Sequence, residues 1–200
     1  MGSTSLLDIL GSLVIGGLLL LVALRMNSQA TMNTYSSQAS LTVQQNMTAI
    51  IQNIEWDFRK IGYCKNPMLT SDPTHYILKG KSDSISFIAD LYNSGTANTV
   101  SWYLGSYVGP NPRVRKLCRK VDGGAALEAN LGVTQFSMIY FGASGDTIVL
   151  PYSAGDSVTP QLIELTLRVE PTVAYDTAYT QSYSYWRQTR LVSRNLKMNR

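Results

Sequence analysis

The 200-residue chain is 44% hydrophobic and only 15% charged, with 17 Lys and Arg against 13 Asp and Glu for a net charge of +4. That charged share lies below the roughly 25% of an ordinary soluble protein, while 15 Gly and 7 Pro exclude a collagen-like or linker-like chain. One His and 2 Cys are too few for a zinc finger or a histidine-based metal site, and so small an excess of basic residues does not by itself call for nucleic acid.

The charges are unevenly placed. Before Trp56 there are only Asp8, Arg25 and Glu55, and Met26 to Ile54 carries none. Leu6 to Leu24 reads LLDILGSLVIGGLLLLVAL, apolar apart from Asp8 and Ser12. As a helix these residues span about 28 Å, close to a hydrocarbon core of roughly 30 Å. No Lys or Arg precedes the run, and LLLLVALRMN lacks a small-residue cleavage site. Residues 1–25 are therefore expected to be a retained membrane helix rather than a cleaved signal.

From Met26 to Ala49 the chain is polar but uncharged, which suits either a flexible linker or a helix continuing out of the membrane. Gly and Pro are absent from Leu18 to Ile61, and apolar residues recur at Leu41, Met47, Ile50, Ile51, Ile54, Phe58 and Ile61. That spacing is helical, with Gly62 as a C-terminal cap and Asn66-Pro67 barring continuation. One helix of about 55 residues, roughly 80 Å long, is expected. Residues 26–62 continue the membrane segment, and Ile50, Ile51, Ile54, Phe58 and Ile61 pack its amphipathic end onto a sheet. A solvated helix of this length would carry ion pairs along its surface. A charge-free one suits burial among other helices, where an unpaired charge costs several kcal/mol.

Past Tyr63 the period becomes that of strands. Ser84–Ala89, Thr99–Leu104, Arg113–Val121, Thr134–Phe141, Thr147–Leu150 and Leu162–Val169 are β-rich runs, and Tyr183–Leu196 is expected to close the sheet. Asn93-Ser94-Gly95, Gly109-Pro110-Asn111-Pro112, Asp122-Gly123-Gly124 and Ser144-Gly145-Asp146 punctuate them. Residues 63–200 thus form a globular antiparallel β domain, and the fold class is α+β: a long N-terminal helix laid on an antiparallel sheet. Cys64 and Cys118 allow one disulfide joining helix end to sheet, or two buried free thiols. An exported domain favours the disulfide.

No catalytic constellation emerges, and no metal or cofactor is implied. His75, beside Pro73 and Tyr76, reads as a turn residue. Asp90-x-x-Asn93-x-Gly95 lacks the spacing and final glutamate of a calcium loop. Asn46-Met47-Thr48 is a glycosylation sequon on a helix expected to be buried. Arg113, Arg115, Lys116, Arg119 and Lys120 form one basic group, and Arg187, Arg190, Arg194, Lys197 and Arg200 another. With Tyr183, Tyr185 and Trp186 they suggest polyanion binding. Strand alternation puts the charges on both faces, so a solvated face with Arg–carboxylate contacts between neighbouring subunits is preferred.

Three stretches resemble the type IV pilin superfamily, in particular its minor pilins and pseudopilins. They are the entry SLLDILGSLVIGGLLLLVAL, the helix end NIEWDFRKIGY (Asn53 to Tyr63) and the tail TRLVSRNL (Thr189 to Leu196). The resemblance implies a pilin-like fold in a subunit held in the inner membrane, then drawn into an extracellular helical filament of identical or homologous subunits. In that family an acidic residue near the mature N-terminus meets the N-terminal amine of a neighbour. Asp8 is the candidate here, sixth in the mature chain if cleavage follows Gly2 and fifth if it follows Ser3. A carboxylate in an apolar helix is costly and marks a partner, unless it sits at headgroup level. The family's usual proline in the membrane helix has no counterpart. Gly11, Gly16 and Gly17 can soften the helix locally, and Ser12 with Gly16 makes a small-residue packing pair.

Two classes of function follow: a filament subunit, or a single-pass anchored periplasmic or surface binding domain whose neutral helix is a stalk. A membrane-anchored enzyme is disfavoured, because His, Cys and acidic clusters are missing.

Overall fold

A computed structural model describes residues 2–70, 72–173 and 184–196. One α-helix, α1, runs from Gly2 to Arg59 without interruption. The stretch that could have been a linker is helical throughout. Its small polar side chains turn back on their own helix: Thr31 Oγ1 donates to Asn27 O at 3.0 Å, Thr34 Oγ1 to Ala30 O at 2.9 Å and Thr48 Oγ1 to Gln44 O at 2.9 Å. Compactness divides the chain between Ser40 and Leu41, so the last third of α1 belongs to the same unit as the sheet.

Within that second unit, Val43, Met47, Ile50, Ile51, Ile54 and Phe58 are buried, as is Ile61 just past the helix. Each such side chain contributes about 1.5–3 kcal/mol. The expected stripe is shifted at its start. Leu41 is 57% exposed, and Val43, two residues on, is buried instead.

The strands are β1 (Ile77–Gly80), β2 (Ser84–Ala89), β3 (Asn98–Tyr107), β4 (Arg115–Val121), β5 (Leu127–Phe141), β6 (Tyr152–Ser153), β7 (Leu162–Val169) and β8 (Tyr185–Leu191). They form one eight-stranded antiparallel sheet in the order β6-β1-β2-β3-β4-β5-β7-β8. Alternation turns Ile85 and Phe87, Val100 and Trp102, Phe136 and Met138, and Leu165 and Leu167 into the core that α1 covers. The α+β architecture is therefore a long N-terminal helix packed on an antiparallel sheet. Thr147–Leu150 is not a strand. It contributes a single bridge from Thr147 to Phe141, while β1 and β6, too short to show alternation, build the edge instead.

At the end of α1 the chain turns through Gly62, at φ +71°, whose N–H donates to Ile88 O at 2.8 Å. The C-terminal segment closes this end. Ser193 Oγ donates to Ile61 O at 2.8 Å and to Arg59 O at 3.3 Å, Asn195 Nδ2 donates to Ile61 O at 3.1 Å, and Leu196 is buried in the core. These bonds satisfy carbonyls that a helix end leaves without partners. Removing the hydroxyl with Ser193→Ala is expected to cost about 1–2 kcal/mol, read as a lower urea midpoint at unchanged slope.

The two cysteines are not bonded to each other. Both are buried free thiols. On β4, Leu117 and Arg119 face α1, so Cys118 points to the opposite side of the sheet, beside Gly105 and cross-strand from Tyr103. Burial, and secondarily the charge of Glu128, raises its pKa. Cys64 lies in the turn after α1, which the Asp90 N–H to Tyr63 O bond of 2.7 Å ties to the strand-end loop. A side chain's direction on a pleated strand alternates residue by residue, and the separation of two cysteines in sequence does not carry that information.

Candidate assembly surface

In the first unit the chain covers nothing of its most apolar helical window, whose mean hydropathy is 2.5. Leu7 and Leu13 are each 71% exposed, and Ile9, Leu10, Ile15 and Leu18 to Leu21 are similarly open. This exceeds the few hundred Å² that a soluble monomer tolerates as a contiguous apolar patch. The helix is long and apolar enough to cross a membrane. Asp8 is exposed on it, and among the described residues no ion pair involves it. A Cβ added at Gly11, Gly16 or Gly17 would meet nothing within 4 Å. Packing within the chain thus does not require these glycines. Ser12 Oγ donates to Ile9 O at 2.9 Å, leaving the hydroxyl satisfied without a partner helix.

In the second unit, the sequence overlooked one residue of consequence. Asp57 follows Ile54 by three and precedes Ile61 by four, which puts a carboxylate on the apolar stripe. It is 3% exposed and accepts Arg119 Nε at 2.6 Å, an Arg119 Nη at 3.0 Å and Trp102 Nε1 at 2.9 Å. Hydrogen bonding to Asp57 outweighs burial and raises the Arg119 pKa further.

The other basic residues are engaged similarly. Arg113 and Arg168 converge on buried Glu170, at 2.9 and 3.3 Å, and Asn111 donates to the same carboxylate. Lys116 pairs with Glu128 at 2.7 Å, and Arg190 with Glu164 at 2.8 Å, where Gln188 also donates. Arg115 donates to the carbonyls of Leu104 and Gly105. Arg–carboxylate contacts of this kind are made within the chain, and they leave the basic strand little free charge for a polyanion. Lys120 is half-buried, while Arg187, Arg194 and Trp186 are exposed; Tyr183, Lys197 and Arg200 lie outside the described residues.

The remaining motifs have local roles. Burial pulls the Asp90 carboxyl up, but backbone N–H groups of Gly95, Ser94, Lys65 and Asn93 outweigh it and hold the pKa below the usual range. Its oxygens organise a turn rather than present themselves to calcium. His75 Nδ1 lies 2.7 Å from Asp72 on an exposed turn. Asn46 Nδ2 donates to Leu131 O at 3.3 Å, so the sequon asparagine ties α1 to the sheet. Among the described residues no three His, Cys, Asp or Glu side chains are grouped to hold a metal. No protein-family model, curated protein or solved structure matches the chain.

Proposed function

We propose that this chain is a structural subunit of a type IV pilus-like or pseudopilus-like filament and a member of the type IV pilin superfamily. Residues 1–25 hold it in the inner membrane with its sheet domain exported, and it then polymerises through α1 into an extracellular fibre. The carrying observation is a continuous helix whose first part is apolar and uncovered by its own chain, while its last third is fixed to a sheet. Such a helix needs lipid before assembly and other helices afterwards. The bonding of tail to helix end supports the reading, because it joins two of the three stretches that carry the resemblance. Asp8 is the assembly carboxylate, and Gly11, Ser12, Gly16 and Gly17 let helices approach closely.

Thr42 and Gln45 are exposed on the charge-free part of α1. In a filament interior, Thr42→Lys or Gln45→Glu would strand a charge at a cost of several kcal/mol per subunit. Negative-stain microscopy should show fibres from the parent chain and none from either variant, with near-ultraviolet circular dichroism of the sheet domain unchanged. Unimpaired fibres from both variants would overturn the proposal. A parent chain that stays membrane-bound and monomeric would favour the anchored, non-polymerising binding domain.

A further inference from the structure

Beside the last turns of α1 the sheet domain holds a cleft of about 370 Å³. That volume falls in the range of small-molecule sites, roughly 300–1,000 Å³. Trp56 of α1 and Tyr92 of the loop after β2 line it at 64% and 73% exposure, and Asn53, Trp102, Asp57 and Arg119 contribute polar groups. Rings of this size left open are ready platforms for a flat partner. The Lys60 ammonium lies 4.9 Å from the centre of the Trp56 ring and donates to Leu91 O at 2.7 Å. It steadies the indole without lining the cleft.

The polar groups narrow the class of ligand. Among the described residues, Asp57 and Arg119 are the only charged ones lining the cleft, and they cancel. Arg119 engages Asp57 through Nε and one terminal nitrogen. The guanidinium has five N–H donors, so its remaining ones suit an acceptor. The exposed Asn53 amide adds donor and acceptor capacity. A nucleic acid would need several unpaired basic groups. The aliphatic lining from Ile50, Leu91, Leu117 and Leu131 suits the C–H face of a sugar ring, and a wholly apolar anchor would leave the remaining Arg119 donors without an acceptor.

We propose that this cleft binds a neutral saccharide, with sugar rings laid on Trp56 and Tyr92 and hydroxyls bonded to Asn53 and Arg119. The site is independent of whether the chain polymerises.

The test titrates the full chain in detergent micelles with maltotetraose, cellotetraose and N,N′,N″,N‴-tetraacetylchitotetraose, following tryptophan fluorescence and, label-free, calorimetric heat. At least one sugar should bind saturably, with Kd on the order of 0.1–1 mM. Trp56→Ala and Tyr92→Ala, both at exposed positions, should weaken calorimetric binding by about tenfold or more with the circular dichroism spectrum retained. Raising the salt should leave the affinity unchanged, since no net charge is involved. No saturable response to any of the three sugars up to about 20 mM would overturn the proposal, as would equal binding by both alanine variants. So would a single-stranded DNA oligonucleotide that binds the parent chain and loses affinity in the same two variants.

Discussion

Replacing Arg119 by methionine is expected to destabilise the sheet domain by about 3–5 kcal/mol, the range for breaking one partner of a buried ion pair. The asymmetry of the pair sets the size. The Arg119 side chain is 27% exposed, and that of Asp57 only 4%. Removing the arginine therefore leaves a nearly covered carboxylate that has lost its cation and keeps the Trp102 Nε1 hydrogen bond. Asp57→Asn should cost less, because the guanidinium left behind is partly solvated and the amide can still accept a hydrogen bond. Combining Asp57→Asn with Arg119→Met should recover much of the loss, since no charge then remains in the site. Urea unfolding of the full chain in micelles, read by near-ultraviolet circular dichroism, measures all three. Equal stability of Arg119→Met and the parent would refute the assignment of Asp57 as a buried anion.

The second large effect is expected at Gly132, where β5 bulges. Its φ is +79°, and a Cβ built there would stand 2.0 Å from the carbonyl oxygen of Glu170. No rotamer relieves this, because the Cβ position is fixed by the Gly132 backbone and the oxygen belongs to the Glu170 backbone. The same two residues are joined by the Glu170 N–H to Gly132 O bond of 2.8 Å, and the Glu170 side chain is the point where Arg113, Arg168 and Asn111 converge. Gly132→Ala should cost about 3 kcal/mol or more, combining a left-handed penalty of about 1–2 with an overpacking cost of about 1–3. Gly123→Ala is the control. Gly123 also has positive φ, at +72°, but an added Cβ there meets nothing within 4 Å. It should show only the left-handed penalty of about 1–2 kcal/mol. Similar midpoints for the two variants would mean that the close approach at Gly132 is relieved by backbone movement.

The parts of this molecule that could be read from sequence are those governed by periodicity. The buried stripe from Met47 to Ile61 follows the helical repeat, and β2 and β7 alternate cleanly enough to be placed to the residue. Continuity of α1 across Met26 to Ala49 was legible from missing Gly and Pro, an absence that bears directly on helix propagation. What escaped depended on partners distant in the chain. Leu41 lies about 200° around α1 from Val43 and so falls on the open side, which only the position of the sheet against the helix reveals. β1 and β6 are too short to carry a period. The basic run on β4 looked like an available surface because its carboxylate partners, Asp57, Glu128 and Glu170, come from α1, β5 and the exit of β7. Asp57 was the exception that could have been found, since an acid on an apolar helix face needs a cation opposite.

The closure of α1 by Ser193, Asn195 and Leu196 has a consequence for biogenesis. The carbonyls being satisfied belong to residues 59 and 61, while the groups that satisfy them sit more than 130 positions later. Contacts so remote along the chain form late, because a long loop must close before they repay the entropy of closing it. The apolar start of α1, long enough to cross a bilayer, is therefore synthesised well before the sheet domain is able to lock. A copy truncated before Ser193 lacks the groups that fasten the root of α1.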